Sequence, residues 1–141
     1  MGDWFFMEEM TLRIPVNIKA RLTADLKERI KTEMNDALKN VDLELQQMEF
    51  QEKRMIAEQT KVNPNELPQL YAYLGSERAK RQNFKRETSE QLEQLERLEL
   101  GSEIPRGTLD GVFNLKVGDN LHKYAGAEIL LEDGVIIAFR M

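Results

Sequence analysis

Few side chains in this sequence belong to the types that usually carry chemistry. His122 is the only histidine, and cysteine is absent. Zinc is typically held by several nitrogen or sulfur ligands, so one imidazole argues against a zinc site. The spacings GxGxxG, HExxH and GxSxG do not occur, and neither does a P-loop. Phosphate cradles and the familiar nucleophile arrangements are therefore not expected.

Carboxylates are the remaining candidates for catalysis. Asp119 and Asp133 lie in predicted turns, where Asp is common for conformational reasons, and Glu128 fits a strand residue that faces water. The glutamates at positions 90, 93, 96 and 99 fit a solvated helix face. We therefore expect no enzymatic activity, no cofactor and no metal site.

A block of basic residues gives the strongest binding signal, and it permits two interpretations. Together with Phe84 it could hold an RNA backbone and stack a base. The acidic residues between positions 42 and 52 mirror it about Pro64, so an antiparallel helical hairpin would pair the two blocks. We favour interhelical pairing and keep RNA binding as the alternative. The basic residues are Arg78, Lys80, Arg81, Lys85 and Arg86, and the acidic ones are Asp42, Glu44, Glu49 and Glu52.

Composition limits the class of protein. The 141 residues suit one domain, and the net charge of −5 argues against general attraction to nucleic acid. No window approaches the roughly 18 apolar residues of a membrane span. The cluster Trp4, Phe5 and Phe6 is too short for a secretory signal. Without cysteine, the sequence fits a reducing compartment, so we expect a cytoplasmic protein that makes no membrane contact.

Apolar periodicity and glycine placement divide the chain. Residues 1–10 are expected to be a flexible N-terminus, and alternation from Leu12 to Ile18 predicts a strand within 11–22. Residues 23–100 contain one glycine and predict two helices that turn near 62–66, each about 55 Å long. Residues 101–141 are rich in glycine and predict the remaining strands, with a hairpin at Asp133-Gly134.

The predicted helices carry coiled-coil spacing with weak apolar content. Met34, Val41, Met48 and Met55 fall seven residues apart in the first helix. In the second helix two neighbouring heptad lines form the predicted seam, which is apolar at both ends and, apart from Phe84, polar between. The residues of the first line are Leu67, Leu74, Arg81, Thr88 and Leu95, and those of the second are Leu70, Glu77, Phe84, Gln91 and Leu98. A single hairpin of this kind would bury little.

These elements predict an α+β fold, in which a long antiparallel helical hairpin is inserted after the first strand of a small, mainly antiparallel β-domain. The order of elements, with the segments TLRIPVNIKARLT, LELGSEIPRGTLDGVFNLKVGDNL and AEILLEDGVIIAFR, resembles the YlqD family of small bacterial proteins. The resemblance implies this fold and a bacterial origin. It implies no activity, because the family has none established.

The predicted function is that of a structural or protein-interaction protein that self-associates through its hairpin. Apolar residues near the turn exceed what one two-helix contact can cover, and an uncovered patch of this kind usually marks an interface. A second copy is the expected partner, another protein is possible, and the alternative is an RNA- or ribosome-associated role for the basic block. The candidate tip residues are Phe50, Ile56, Leu67, Leu70, Tyr71, Tyr73 and Leu74.

Overall fold

The computed structural model describes residues 6–141 and has an α+β fold. The chain divides into a sheet unit, formed by the residues up to Leu26 and from Glu99 onward, and a hairpin unit, Lys27–Leu98. Of the apolar cluster near the N-terminus, Trp4 and Phe5 lie outside the described residues, and Phe6 is exposed. The strands are β1 (Glu9–Arg21), β2 (Glu103–Lys116), β3 (Glu128–Glu132) and β4 (Val135–Arg140), and the helices are α1 (Ala24–Val62), α2 (Leu67–Arg97) and α3 (Leu121–Ala125).

The sheet has the order β2-β1-β3-β4. β1 pairs antiparallel with β2 along its whole length, from Glu9 opposite Lys116 to Arg21 opposite Glu103. β3 pairs antiparallel with β4. β1 and β3 run parallel over Asn17–Ala20, so the sheet is mixed, with two antiparallel pairings and one parallel pairing.

Several elements differ from the sequence prediction at their ends. β1 starts at Glu9, inside the segment expected to be flexible, because Glu9 pairs with Lys116. β2 starts at Glu103. The alternation of apolar and polar residues in this part of the sequence begins only at Val112, and pairing with β1 orders the preceding stretch, which is rich in Pro and Gly. The short helix α3 was not predicted, although Asn120 caps it by accepting a hydrogen bond from the His122 backbone N–H at 3.0 Å.

The turn between β3 and β4 has the geometry that its sequence favours. Asp133 has a φ of 48° and Gly134 a φ of 82°. Positive φ at both central residues is the mark of a type I′ turn, whose twist matches that of the flanking strands. The Asp133 carboxylate also accepts a hydrogen bond from the Thr23 hydroxyl at 2.6 Å.

The sheet unit buries small and medium apolar side chains. Alternation along β1 buries Val16 and Ala20, and Leu130 of β3 is buried as well. Phe113 lies over Gly111, where an added Cβ would come within 2.6 Å of the Phe113 ring. Tyr124 of α3 meets the same ring edge to face, with centroids 5.4 Å apart.

The helical hairpin turns within residues 63–66. α1 ends at Val62, a 3-10 helix spans Pro64–Glu66, and α2 follows. The Asn63 side chain caps the 3-10 helix by accepting from the Asn65 N–H at 3.1 Å, as expected for Asn before Pro. Glu66 stands three residues after Asn63, at the capping-box position of the sequence, but its carboxylate instead accepts a hydrogen bond from Gln59 Nε2 at 3.2 Å.

Candidate interaction surface of the helical hairpin

Ion pairs connect the two helices in the mirrored arrangement that the charge blocks predict. Arg81 Nε lies 3.2 Å from Glu44 Oε2, and Lys85 Nζ lies 2.7 Å from Asp42 Oδ1. A hairpin turning at Pro64 predicts Glu49 as the neighbour of Arg78, but Arg78 pairs with Glu52 instead. In each pair the two residues stand at nearly the same distance in sequence from Pro64. The charges are therefore consistent with one register of the antiparallel hairpin.

The other two cations of the basic block pair within α2. Lys80 Nζ lies 3.1 Å from Glu77 Oε1, and Arg86 Nε lies 4.0 Å from Glu90 Oε1. Hydrogen bonds from Lys80 and Arg81 lower the pKa of Glu77. The hydrogen bond to Glu77 in turn raises the pKa of Arg81. All five cations of the block thus have an acidic neighbour, which reduces the charge they present to a phosphate backbone.

A further ion pair lies at the end of the hairpin opposite its turn. Lys31 Nζ is 2.8 Å from Glu96 Oε1, and this hydrogen bond lowers the pKa of Glu96. Lys27 Nζ donates to the backbone carbonyls of Glu96 and Leu98 at 3.3 and 3.0 Å. Glu96 is exposed, in agreement with the solvated face predicted for it. Its ion pair forms because Lys31 stands opposite it in the hairpin.

The buried line of α1 differs from the predicted heptad line. Within the hairpin unit the buried residues of α1 are Ile30, Val41 and Glu52, each eleven residues after the previous one. Met55, placed on the heptad line by its spacing, is exposed. A straight helix with 3.6 residues per turn drifts about 20° per heptad against a repeat of 3.5, so the heptad line rotates away from α2. Glu52 takes the inward position that Met55 was expected to occupy.

The first predicted line of α2 does face inward. Leu74, Thr88 and Leu95 are buried, and Leu67 and Arg81 are half-buried. On the companion line Leu70 and Glu77 are half-buried. Its remaining members, Phe84, Gln91 and Leu98, are exposed, so α2 contributes one buried line where two were expected.

Glu52 is the most unusual member of the hairpin core. It is 8% exposed, and its Oε2 pairs with Arg78 Nη2. Its other oxygen, Oε1, is buried and has no hydrogen-bond partner among the described residues. A buried carboxylate oxygen without a partner destabilises the fold, because it has lost the hydrogen bonds of water. The periodicity gave no signal for this residue, since the inward turn of position 52 depends on helix drift.

The predicted tip residues do not form one exposed patch. Leu74 is buried and cannot contribute to an exposed surface. Ile56, Leu67 and Leu70 are half-buried and therefore contribute little to an exposed surface. The exposed members are Phe50, Tyr71 and Tyr73. Sequence reasoning missed several other exposed apolar side chains, because it assigned them to the seam or passed over them: Leu43, Met55, Val62 and Phe84.

Two grooves lie end to end along one face of the hairpin, which we call the groove face. The larger has a volume of about 500 Å³. The smaller, of about 150 Å³, shares Glu77 and Arg81 with it and ends at Tyr73 and Met55. Apolar side chains at both ends thus flank a central charged pair. The larger groove is lined by Ala37, Asn40, Val41, Glu44, Glu77, Lys80, Arg81 and Phe84.

The carboxylates considered for catalysis have structural partners in the sheet unit. Asp119 Oδ2 accepts from the Lys116 N–H at 2.8 Å, as its turn position predicts. Glu128 was expected to face water, but it is half-buried and lies 2.8 Å from both Lys19 Nζ and Arg140 Nη2. Its place in the sheet explains this, because Glu128 stands opposite Arg140 on the adjacent strand β4. The hydrogen bond from Lys19 lowers the pKa of Glu128.

Over residues 6–141, no helix combines the length and the apolar character that crossing a bilayer requires. In the same range, no three His, Asp or Glu side chains converge in a way that could hold a metal ion. Neither finding supplies a candidate site beyond the hairpin surface.

Comparisons with known proteins agree with the fold. The YlqD family model, described as YlqD protein, matches residues 10–140. The crystal structure of a protein of unknown function from Synechococcus sp. WH 8102 superposes with a TM-score of 0.83 at 24% sequence identity. The alignment covers 94% of this chain and 95% of that chain. No curated protein matches the chain.

Proposed function

This chain belongs to the YlqD family, and we propose that it is a non-enzymatic interaction protein whose helical hairpin associates with the hairpin of a second copy. Neither the family nor the similar solved structure carries an activity that could be transferred to it. The proposal therefore rests on the physical properties of the hairpin unit itself.

The observation that carries the proposal is the small apolar core of the hairpin unit. Among the described residues of this unit, the buried apolar side chains are Ile30, Val41, Leu74 and Leu95. The unit contains most of α1, which has 39 residues, and all of α2, which has 31. Helices of this length are stable in water mainly because an apolar face packs against a neighbour. In this unit more large apolar side chains are exposed than buried. The exposed ones are Leu43, Phe50, Met55, Val62, Tyr71, Tyr73, Phe84 and Leu98. Burial against a second hairpin would supply the missing packing.

The groove face supports one particular mode of association. It carries Phe84 near one end and Tyr73 near the other, with Glu77 and Lys80 between them. Two such faces related by a two-fold axis can place each aromatic side chain in the groove of the other copy. Glu77 of one copy then faces Lys80 of the other, so that opposite charges meet at the centre of the contact. Four helices packed in this way form an antiparallel bundle, which is a common arrangement for helices of this length.

The alternative, RNA binding through the basic block, has less support. Each of its cations has an acidic neighbour within 4.0 Å. A phosphate would have to displace these carboxylates. Titration of bulk RNA at roughly 50 mM salt tests the alternative, since phosphate contacts give affinities that fall steeply with salt. Tight binding that Arg81→Glu abolishes would favour the alternative over self-association.

Light scattering across micromolar concentrations tests the proposal. The wild-type chain is expected to form a dimer or a larger assembly. The double variant Tyr73→Ser and Phe84→Ser is expected to weaken hairpin association, because it removes the aromatic side chains of the groove face. Leu43→Ser is the matched control, since Leu43 is 55% exposed and Tyr73 is 57% exposed, but Leu43 lines neither groove of that face.

Two results would contradict the proposal. One is a wild-type chain that is folded by circular dichroism and strictly monomeric at all concentrations. The other is an assembly that Leu43→Ser weakens as much as the groove-face variant does, because that would place the contact elsewhere on the hairpin.

A further inference from the structure

The outer strand β4 presents an unpaired and apolar edge. In the described part of the chain β4 pairs only with β3, so its other side has backbone N–H and C=O groups without a strand partner. Four of its six side chains are apolar and exposed: Val135, Ile136, Ile137 and Phe139. Exposed apolar edges of this kind readily accept another strand, and most proteins therefore interrupt them with charges, proline or bulges.

The opposite edge of the sheet has these interruptions. β2 contains Pro105, which has no N–H to donate, and Gly107, whose φ is +122°. Its register against β1 shifts at this point. Arg106 and Asp110 add charges along the same strand. The chain thus blocks the β2 edge by several means. β4 has a register shift at Ile137 and one charged residue, Arg140, at its end, but from Val135 to Phe139 it contains no proline and no charge.

We propose that β4 pairs antiparallel with β4 of a second copy, joining two four-stranded sheets into one continuous sheet of eight strands. The two-fold axis would pass near Ile137. Phe139 then stands opposite Val135 of the second copy, and apolar cross-strand pairs of this kind stabilise antiparallel sheets.

Charge at the two ends of β4 favours a second copy in antiparallel orientation. The strand is preceded by Glu132 and Asp133 and ends with Arg140. Arg140 is paired within its own copy with Glu103 at 2.9 Å and with Glu128 at 2.8 Å, so its charge is largely balanced there. Antiparallel pairing about Ile137 places this balanced end of β4 near Glu132 and Asp133 of the other copy. Parallel pairing would instead bring the two acidic turns together, where like charges repel, so charge disfavours the parallel orientation.

This contact does not depend on the proposed hairpin association. If both exist, each copy has two different two-fold contacts, and the assembly either closes as a tetramer with D2 symmetry or grows as a linear chain. Mass measured by light scattering distinguishes these outcomes. The test of the sheet contact must therefore report on β4 directly.

Single-cysteine variants provide that test, because the natural chain contains no cysteine. Ile137→Cys is expected to form a disulfide-linked dimer under mild oxidation, since a disulfide needs Cα atoms within about 7 Å. Val135→Cys alone should link poorly, because the two copies of residue 135 would lie roughly 13 Å apart along the strands. A mixture of Val135→Cys and Phe139→Cys should link to each other. Val112→Cys, on the blocked edge, is the control and should remain unlinked.

Charged variants measure the strength of the contact. Val135→Lys is expected to weaken sheet-mediated dimerisation by about tenfold or more, because an edge lysine opposes strand addition. Val112→Lys is the matched control, since Val112 is 67% exposed and Val135 is 63% exposed. Both measurements are made in the Tyr73→Ser and Phe84→Ser background, so that hairpin association does not mask the result.

Each outcome decides the proposal. Strong linking of Ile137→Cys together with linking between residues 135 and 139 supports antiparallel pairing of β4. Equal linking of Val112→Cys, or monomeric Ile137→Cys at all concentrations, overturns it. Linking of Ile137→Cys that occurs without any link between residues 135 and 139 overturns the proposed register and orientation. A chain with the natural Tyr73 and Phe84 that links through β4 but shows no hairpin association would overturn only the proposed function.

Discussion

Arg81 joins α2 to α1 through Glu44, with 3.2 Å between Arg81 Nε and Glu44 Oε2. The same guanidinium also donates from Nη1 to Glu77 Oε2 at 3.1 Å and to the Glu77 backbone carbonyl at 3.0 Å. Arg81 therefore occupies the centre of a charged network that spans the hairpin. This network gives the hairpin a register that its few buried apolar side chains would specify weakly.

The first prediction concerns this network. Replacing Arg78, Arg81 and Lys85 with Glu places acids opposite acids, so we expect the melting temperature to fall by roughly 3–8 °C. Changing Asp42, Glu44 and Glu52 to Lys in the same chain should restore part of the loss, which a double-mutant comparison by thermal denaturation measures. An unchanged melting temperature in the triple variant would mean that the pairs contribute nothing to stability.

The second prediction concerns Glu52. Its Oε1 is buried without a partner, while Arg78 is exposed enough to remain hydrated if its partner is removed. We expect Glu52→Leu to raise the free energy of unfolding by about 1 kcal/mol, since apolar replacements of buried ionic groups are often neutral or stabilising. Urea denaturation measures the change. Glu49→Leu, at an exposed position of the same helix, is the control and should change stability by less than about 0.5 kcal/mol.

The third prediction concerns pH. The hydrogen bonds from Arg140 lower the pKa of Glu103 from its usual 4.5, and the hydrogen bond from Lys19 lowers that of Glu128. A lowered folded-state pKa contributes stability above the unfolded value, and this contribution is lost as pH falls through the folded value. Wild type should therefore exceed Arg140→Gln in melting temperature near pH 7, and the difference should shrink below pH 4.5.

Lys123→Gln is the control for the pH experiment. Lys123 has no ion pair among the described residues and lies in the exposed helix α3. Its difference from wild type should therefore stay constant between pH 7 and pH 3. A difference between wild type and Arg140→Gln that grows in acid would contradict the assigned direction of the pKa shifts.

The fourth prediction compares two glycines. A Cβ at Gly111 would lie 2.6 Å from the Phe113 ring and 2.8 Å from Val16 Cγ2, so Gly111→Ala should destabilise the chain by about 1–3 kcal/mol. Gly75 lies within α2 with open space around it. Gly75→Ala should therefore stabilise by about 0.5–1 kcal/mol through helix propensity. Chemical denaturation of both variants measures the opposite signs, and equal signs would contradict the packing described around Phe113.

The sequence by itself determined the features that depend on neighbouring residues. Alternation identified β1, Asn63-Pro64 identified the turn of the hairpin, and Asp133-Gly134 identified the β-turn with positive φ at both positions. The mirrored charge blocks indicated that the helices pair antiparallel about the turn, although the exact partners differ, since Arg78 pairs with Glu52 and not with Glu49. In each of these cases the deciding interactions lie close in sequence or follow directly from the turn.

Only the tertiary structure decided the features that depend on distant residues or on accumulated geometry. Helix drift over several turns moved Glu52 into the hairpin core and left Met55 exposed, and a strict heptad pattern does not include that rotation. Pairing with β1 extended β2 back to Glu103, although Pro and Gly weaken the local strand signal there. The parallel pairing of β1 with β3 joins segments about a hundred residues apart, so no local pattern could specify it.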